Sequence, residues 1–539
     1  MKRRQFLTLA GGGMAATSLA ALGIACGDDD TPPPATSTPD ATGTGTAATP
    51  TAGSPTVELA ANQTLRARFY FDLLPLDPAT IFGIEQENVA VAVYNGLTAY
   101  NAKTELIPDL AKSWEQPDGT TWVFSLRDGV KWQKGFGDLT AQDVVDSYNR
   151  IIQGGGTYAR EFALVDAFTA IDPRTLQVKL KKPDGNFGHQ VSNYHQGSVV
   201  NVRAIEKGGD RWGLEPVGTG PFILSNVRPG QGFELLRFDD YFAGKPTLEK
   251  IDMRTISDHN TAAIAIKNNE LDLVMAIRSE RALDQVANDP NIEFKIGDRW
   301  GVGLWMFNTT IPALADPRVR RAMAHAIDFE AAIKATAPRL NSVVYNIVPE
   351  WMPEFSADVP KYPFNLQEAK ALLSAAGVSR VNVKAMQLGQ PSEFFVLLQA
   401  SLAQAGINLE FDIVDRAQFN QRRVSGDFEI TVRGFPTANV DQILFGYLHP
   451  DNIVPKGFNS SRYNNPELTA KLEAARSELD MPKRLALYAE VQKIAMTDLP
   501  YLPYAYSNEY WAHRKTVKDV EVNRMPQGIW YPMKIAAKA

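Results

Sequence analysis

The sequence predicts an α/β body set behind a separate N-terminal segment. Three observations predict it. Between residues 381 and 434, strand and helix patterns alternate as β-α-β-α-β. Helices with recognisable caps recur elsewhere between short β-patterned runs. The first 56 of the 539 residues carry neither pattern, which leaves 483 for the folded part, enough for about three domains or lobes.

The chain opens with Lys2, Arg3 and Arg4, then runs uncharged from Phe6 to Ala25. Basic residues, an apolar stretch and small residues, in that order, form the pattern of a secretory signal. Gly11, Gly12 and Gly13, with Thr8, Thr17 and Ser18, weaken the run as a helix. A permanent N-terminal anchor helix is the competing reading. Arg3-Arg4-Gln5-Phe6-Leu7 resembles a twin-arginine export signal, which implies export of an already folded protein. Cys26 is the single cysteine of the chain, so no internal disulfide can form. Following Ile24-Ala25, it resembles the lipidated residue of a bacterial lipoprotein, although Gly23 stands where that pattern has Leu. An ordinary signal with an incidental Cys is the alternative. Residues 27–56 hold no large apolar side chain and so have nothing to offset their ordering entropy. They read as an extended Thr/Pro/Ala/Gly linker between a membrane anchor and the body.

In the body, residues 64–71 and 121–126 alternate as strands. Residues 139–152 read as a helix capped by Thr140 with Asp143 three residues on, and Val144, Tyr148, Ile151 and Ile152 on the buried face. Asp316-Pro317 starts a helix with Val319, Met323 and Ile327 at spacing four, and Asn465-Pro466 repeats the device. Residues 365–377 form a short helix ending on glycine. In the 381–434 unit the crossovers predict neighbouring parallel strands. Ligands of open α/β sheets gather beyond the carboxyl ends of strands. The segment after the third strand, from Gly434 through Phe435, Thr437 and Ala438 to Asp441, is therefore the first candidate site.

Composition narrows function. Lys and Arg number 55 against 61 Asp and Glu, a formal net charge of −6, and no long basic block is present, which argues against nucleic-acid binding. The sequence contains no Gly-x-Ser-x-Gly elbow, no His-Glu-x-x-His and no phosphate loop ending in Gly-Lys-Ser/Thr. Gly218-Thr219-Gly220 and Gly301-Val302-Gly303 lack the third glycine of a dinucleotide loop. His189, His195, His259, His325, His449 and His513 make no tight ligand cluster along the chain. The expectation is therefore no cofactor, no metal and no catalytic residue. A carboxylate pair for glycoside hydrolysis, assembled by folding, is left open.

Several stretches form an ordered set: Leu76-Asp77-Pro78, VYNGLTAYN at 93–101, ELIPDLAKSWE at 105–115, TWVFSLRDGVKWQKG at 121–135 and LTAQDVVDSYNRI at 139–151. VGTGPF at 217–222, MFNTTIPALADPRVRRAMAHAID at 306–328 and GYLHPDN at 446–452 complete it. Taken together they resemble the peptide/nickel class of extracytoplasmic solute-binding proteins, the family 5 receptors of ABC importers. The resemblance implies a two-lobed, periplasmic-binding-protein-like α/β fold of type II with the ligand cleft between the lobes. It implies a first lobe of 57–97, 201–298 and 506–539, a subdomain inserted into it at 98–200, and a second lobe at 299–505. Three sequential domains are the alternative.

The resemblance also assigns candidate contacts. Gly434-Phe435 matches a Gly-Trp pair whose backbone faces the ligand, and Ala438 stands where oligopeptide receptors place an Asp for the peptide ammonium. Phe82 falls where an acidic cleft residue can occur. Both departures point away from a common peptide-binding mode. Asp441 is near enough to substitute for the missing Asp, or else serves a turn or cap. Tyr158 matches a tyrosine reaching into the cleft, with core packing as its other role. Trp300, Trp305, Tyr504 and Tyr506 lie at the crossings between lobes, either as flat cleft walls or as core; Trp132 and Trp351 read as structural. The expected function is capture of a peptide, oligosaccharide or other small solute by hinge closure, and delivery to an ABC permease, by a monomer held at the membrane. An extracytoplasmic hydrolase and a permease-independent sensory receptor are the rivals.

Overall fold

A computed structural model of the chain describes residues 58–81, 84–101, 103–435, 439–522 and 534–535. The expected signal, Cys26 and the linker lie outside these residues. Among the described residues no helix is long and apolar enough to cross a membrane.

The main sheet has eleven strands. Ten form one path: β1 (Thr64–Phe69), β2 (Phe222–Arg228), β3 (Gly232–Arg237), β4 (Lys250–Thr255), β5 (Leu273–Ile277), β6 (Ile292–Phe307), β7 (Val381–Leu388), β8 (Ile407–Val414), β9 (Ile430–Phe435) and β10 (Tyr501–Arg514). Their order across the sheet is β8-β7-β9-β6-β10-β5-β1-β4-β3-β2. The short strand Asn341–Ser342 pairs with β10 off this path. The two longest strands, β6 and β10, pair antiparallel from Ile292↔Arg514 to Met306↔Tyr501 and so run through both halves of the sheet. Their register shifts between Gly297 and Gly301 and again between Gly303 and Leu304.

On one side, β7 pairs parallel with β8 from Val381↔Ile407 to Leu388↔Val414, and parallel with β9 at Ala385↔Ile430. The parallel neighbours expected of the 381–434 unit are therefore present. The order β8-β7-β9 places the reversal of winding between β7 and β9, the point where a crevice opens at the carboxyl ends of strands. On the other side, β1 pairs parallel with β4 and β5. A separate antiparallel sheet takes the order Ala111–Asp118, Thr121–Leu126, Thr175–Leu180, Val165–Asp172.

The helices α1 (Ile84–Val93), α2 (Ala141–Gly154), α3 (Glu393–Gln404), α4 (Arg416–Ser425), α5 (Val440–Leu448), α6 (Pro466–Ser477) and α7 (Met481–Asp498) matter most for the site. Thr140 and Asp143 form a reciprocal capping box on α2, with the Thr140 N–H donating to Asp143 Oδ2 at 2.8 Å. Val144, Tyr148 and Ile151 are buried, but Ile152 is 37% exposed. It lies in the last turns before the Gly155 cap and is absent from the buried face of the helix, which corrects the expected face by one residue. Asp316 and Asn465 cap helices that open with Pro, and Asn365 caps Leu366–Ala375. Ile327 is the residue after its helix rather than a member of it, yet it is 1% exposed.

The apolar interior falls into separate cores. One gathers side chains from Val302 to Tyr506, including β7, β8 and β9. A second gathers Leu65 to Met275 with Trp511, and a third is built around Trp122, Phe124, Trp132 and Tyr148. Several of the ordered motifs converge where the second and third meet. The Asn95 amide donates to Asp109 Oδ1 at 2.8 Å and accepts from the Thr219 hydroxyl at 3.0 Å. The buried Gln133 amide donates to Gly220 O and Phe222 O at 2.9 and 2.8 Å. A side chain at Gly218 would strike the carbonyl of Val93, so only glycine fits. These motifs are thus a knot of buried hydrogen bonds that fixes one core against the next.

Candidate ligand cleft

The carboxyl ends of the parallel strands on both sides of β6 and β10 carry a run of aromatic and arginine side chains. Tyr70 and Phe71 follow β1, Arg278 follows β5, Arg416 opens α4 after β8, and Arg433 lies near the end of β9. The Arg278 guanidinium sits 5.5 Å from the Tyr70 ring centre, and Tyr70 lies 4.9 Å from Phe71. Arg416, from the other half of the sheet, sits 5.2 Å over Phe71. Arg433 lies 5.0 Å over Tyr447 and 5.3 Å over Phe458, and these two rings stack at 5.7 Å. Each contact is a cation–π pair, worth about 0.5–1 kcal/mol where exposed and more where dry.

Facing Arg433 is a wall from α1 and the third core. Tyr158, 3% exposed, stacks on His195 at 4.8 Å and approaches Phe458 at 6.0 Å. Glu87 is fully buried, and its Oε1 accepts from the His195 backbone N–H and lies 3.2 Å from His195 Nε2. Burial pushes the Glu87 carboxyl up to about 8. Burial first, and then the Arg433 charge, push His195 down to about 3. Both shifts favour the uncharged form of the pair. His195 also holds φ of +47°, a left-handed backbone uncommon outside glycine. Glu87 Oε2 and His195 Nδ1 are both buried with no hydrogen-bond partner.

Beside this lies a second charged group. Arg476 Nη2 stands 3.1 Å from Asp441 Oδ2, and its Nε stands 3.6 Å from Asp184 Oδ2. Burial raises Asp441 to about 6 against the pull of Arg476, and burial with the Asp441 charge raises Glu161 to about 7. Asp441 is thus ion-paired; the cap of α5 is Asn439, whose Oδ1 accepts from the Asp441 N–H at 2.9 Å. The nearby Gly185 N–H donates to Arg476 O, and the Asn186 amide donates to the Tyr488 hydroxyl at 2.9 Å.

The other sequence candidates are placed as follows. Gly434 is exposed and pairs with Gly303 across β6 and β9, and the Phe435 backbone pairs with Val302. Trp305 and Tyr506 are each 1% exposed and belong to the Val302–Tyr506 core; the Tyr506 hydroxyl accepts from Glu350 N. Tyr504 is half-buried among Phe329, Phe394 and Phe395, and its ring lies over Gly303, where any Cβ would collide at 2.6 Å. That contact accounts for the second glycine of Gly301-Val302-Gly303. Trp132 is 2% exposed in the third core, and Trp351 is half-buried. Phe82, Thr437 and Ala438 lie outside the described residues, as do the side chains of Trp300 and Phe435. His189 bonds the Tyr100 hydroxyl at 2.9 Å and His195 joins Glu87, so the two enter different partnerships. Among the described residues no His, Cys, Asp and Glu cluster could hold a metal ion.

Sequence reading missed Arg278, Arg416, Arg433, Phe71, Tyr447, Phe458 and the Glu87–His195 pair. One signal was available: Arg416 stands two residues after a strand that the sequence marks clearly, at the end where ligands gather.

This arrangement belongs to a known class. The chain is a member of the bacterial extracellular solute-binding proteins, family 5, whose middle region matches residues 105–453. It is 26% identical over 480 residues to the dipeptide-binding protein of Escherichia coli K12, covering 82% of this chain and 88% of that one. It is 26% identical over 469 residues to heme-binding protein A of Haemophilus influenzae, covering 80% and 85%. Among solved structures it is similar to the binding protein MoaA of A. tumefaciens R10 in complex with mannopinic acid, with a TM-score of 0.79, 26% identity, and 88% and 100% of the two chains covered. The fold is therefore the α/β periplasmic-binding-protein fold that the sequence resemblance implied, and the function is solute binding.

Proposed function

We propose that the protein captures a small solute between two lobes outside the cytoplasmic membrane and hands it to the permease of an ABC importer. One observation carries the location: β6 and β10 are the long strands shared by both halves of the sheet, and the carboxyl ends of parallel strands on either side bear the aromatic and arginine run. In this reading the first lobe comprises 57–97, 201–298 and 506–539, with 98–200 inserted and 299–505 as the second lobe; the separate cores support it. Tyr158, Gly434, Phe435 and Asp441 line or border the cleft, with Phe82, Trp300, Thr437, Ala438 and Tyr504 as further contacts. Trp305 and Tyr506 brace it from the core. Cys26 carries the lipid anchor after a twin-arginine signal, and the receptor works as a monomer.

The ligand acts by population shift, because it contacts both lobes only when they close. Moving the balance from 1:99 to 99:1 takes about 5.5 kcal/mol of differential affinity. Burying roughly 200 Å² of apolar ligand surface contributes near 5 kcal/mol gross. The relatives are named for a dipeptide and for heme, and a solved structure holds mannopinic acid, so one fold serves several ligand chemistries. Family membership favours binding over the hydrolase alternative. Solution scattering and thermal shift with peptides and oligosaccharides test the reading. The expected result is contraction and a raised Tm with the solute recovered intact. Cleaved products, or a profile that never contracts across a broad panel of nutrients, would overturn it.

A further inference from the structure

We propose that closure of the subdomain 98–200 onto the second lobe takes up a proton: it brings Glu161 and Asp184 of the subdomain to Asp441 of the lobe around the guanidinium of Arg476, so mildly acidic pH favours the closed receptor. This rests on the two-lobed, solute-binding reading and adds a regulation to it.

A set of contacts joins these two bodies. On the subdomain side stand residues 157–162 and the loop at 183–186; on the lobe side stand α5, α6 and α7. Arg476 Nε lies 3.6 Å from Asp184 Oδ2, and the Gly185 N–H donates to Arg476 O. The Asn186 amide donates to the Tyr488 hydroxyl at 2.9 Å, and Arg160 Nη1 donates to Asp451 O at 2.7 Å. A Cβ at Gly185 would come 1.9 Å from Arg484 Nη1, so glycine lets that cation lie against the loop. Leu479 comes within 3.3 Å of the place a Cβ would take at Gly119. No residue of this set belongs to β6 or β10, so the seam can part while the strands that join the halves stay paired.

The charges at the seam do not balance. Asp184, Asp441, Arg476 and Arg484 are buried, and Glu161 is half-buried. Three carboxylates thus face two guanidiniums, and Glu354, which faces Arg484 from its own lobe, adds to the excess. Gln442 hydrogen-bonds Glu161, and Tyr158, Tyr447 and Tyr488 face the group as neutral phenols. Burial, and then the Arg484 charge, push His189 of the subdomain down to about 4, so it supplies no cation at neutral pH. His449, with Asp451 and Glu473 beside it, faces Arg476 from the same lobe, so that interaction is common to the open and closed forms. Like charges brought together in a dry seam are relieved by a proton. Burial raises Asp441 to about 6 against the pull of Arg476, and burial with the Asp441 charge raises Glu161 to about 7. Opening returns Glu161 and Asp184 to solvent and leaves Asp441 with Arg476, so the open form binds fewer protons. The proton-linked part of closure is complete below the ordinary carboxylate range and is lost as pH rises through about 6 and about 7.

The test follows the full chain without ligand from about pH 5.5 to 7.5. Solution scattering reads its size, and hydrogen–deuterium exchange, corrected for the intrinsic effect of pH, reads peptides spanning 183–190 and 476–488. The expected result is contraction and growing protection of both peptides as pH falls, with the closing constant rising by up to about tenfold per pH unit, the limit for one proton. Glu161→Gln, at a half-buried position, should flatten most of that slope and keep the protein closed at pH 7.5. The double variant Glu161→Gln/Asp441→Asn should abolish the slope. Arg160→Ala removes a contact of the same seam but no carboxyl, and should weaken closure by the same factor at every pH. If closure of the parent does not change with pH, or if the double variant keeps the parent's slope, the inference falls. If a nutrient of the panel contracts the protein equally at both ends of the pH range, the inference falls and solute capture stands. If neither pH nor any nutrient contracts the protein, both readings fall.

Discussion

Two charged regions lie side by side in this molecule, and they are built on opposite plans. Around Arg476, one guanidinium is bracketed by Asp184 and Asp441, with Glu161 close by, so carboxylates outnumber cations. Around Arg433, guanidiniums lie against rings, and burial pushes the Glu87 carboxyl, on the wall across from it, upwards towards its neutral form. The first region settles its charges internally and ties residues 161 and 184 to α5 and α6. The second holds its guanidiniums against aromatic faces instead of between carboxylates. The difference separates a latch of paired charges from a ring-lined group of cations, although both lie at the same end of the strands.

The largest expected effect comes from removing the shared cation of the latch. Arg476→Met leaves buried carboxylates uncompensated and should cost about 3–5 kcal/mol at pH 7.5 in urea unfolding. Adding Asp441→Asn should recover part of that loss. Asp441 and Glu161 are both raised by burial, so the folded state holds their protons better than the unfolded chain does. Their contribution to stability is full at low pH and disappears as pH rises through about 6 and about 7. The Arg476→Met defect should therefore shrink at pH 5; a defect independent of pH would place the cost in packing against Phe445 instead.

Next in size is Glu87→Gln. The Glu87 carboxyl is raised from 4.5 to about 8, so its favourable contribution is complete below its ordinary pKa and is lost as pH rises through 8. The glutamine variant should match the parent near pH 4.5, gain on it steadily as pH rises to about 8, and exceed it above that by at least about 1–3 kcal/mol. Thermal unfolding across pH 4–9 checks the slope. A parallel slope in both proteins would show that Glu87 is charged, and the contrast between the two regions would collapse.

The smallest expected effect is that of Phe71→Ala. Phe71 is 37% exposed, and its loss removes one cation–π contact with Arg416, worth about 0.5–1 kcal/mol. The change should appear in ligand affinity, by a few-fold, while the urea midpoint stays within error.

How far the sequence disclosed this is visible in particular residues. Capped helices such as Thr140–Asp143 were legible because cap chemistry is local. The 381–434 unit was legible because its periods change cleanly from strand to helix. The family resemblance was legible through residues such as Asn95, Asp109, Gln133 and Gly218, which form a buried hydrogen-bond knot tolerating few substitutes. Those residues report the scaffold and say nothing of the ligand. The arginines at the strand ends were not legible, because 278, 416 and 433 come from separated segments and each alone reads as an ordinary surface arginine. Trp305 and Tyr506 show the converse. Their positions at a lobe crossing suggested cleft walls, but long central strands bury every side of such residues, and the core takes them.

The pairing of β6 with β10 is interrupted between Gly297 and Gly301, where the two halves of the sheet join. A second break follows between Gly303 and Leu304, so the interrupted stretch spans several residues of both strands. If the lobes close as proposed, flexure concentrated there would leave the interdigitated side chains of each core undisturbed, and the pace of the proposed receptor would be set by how long the cargo stays.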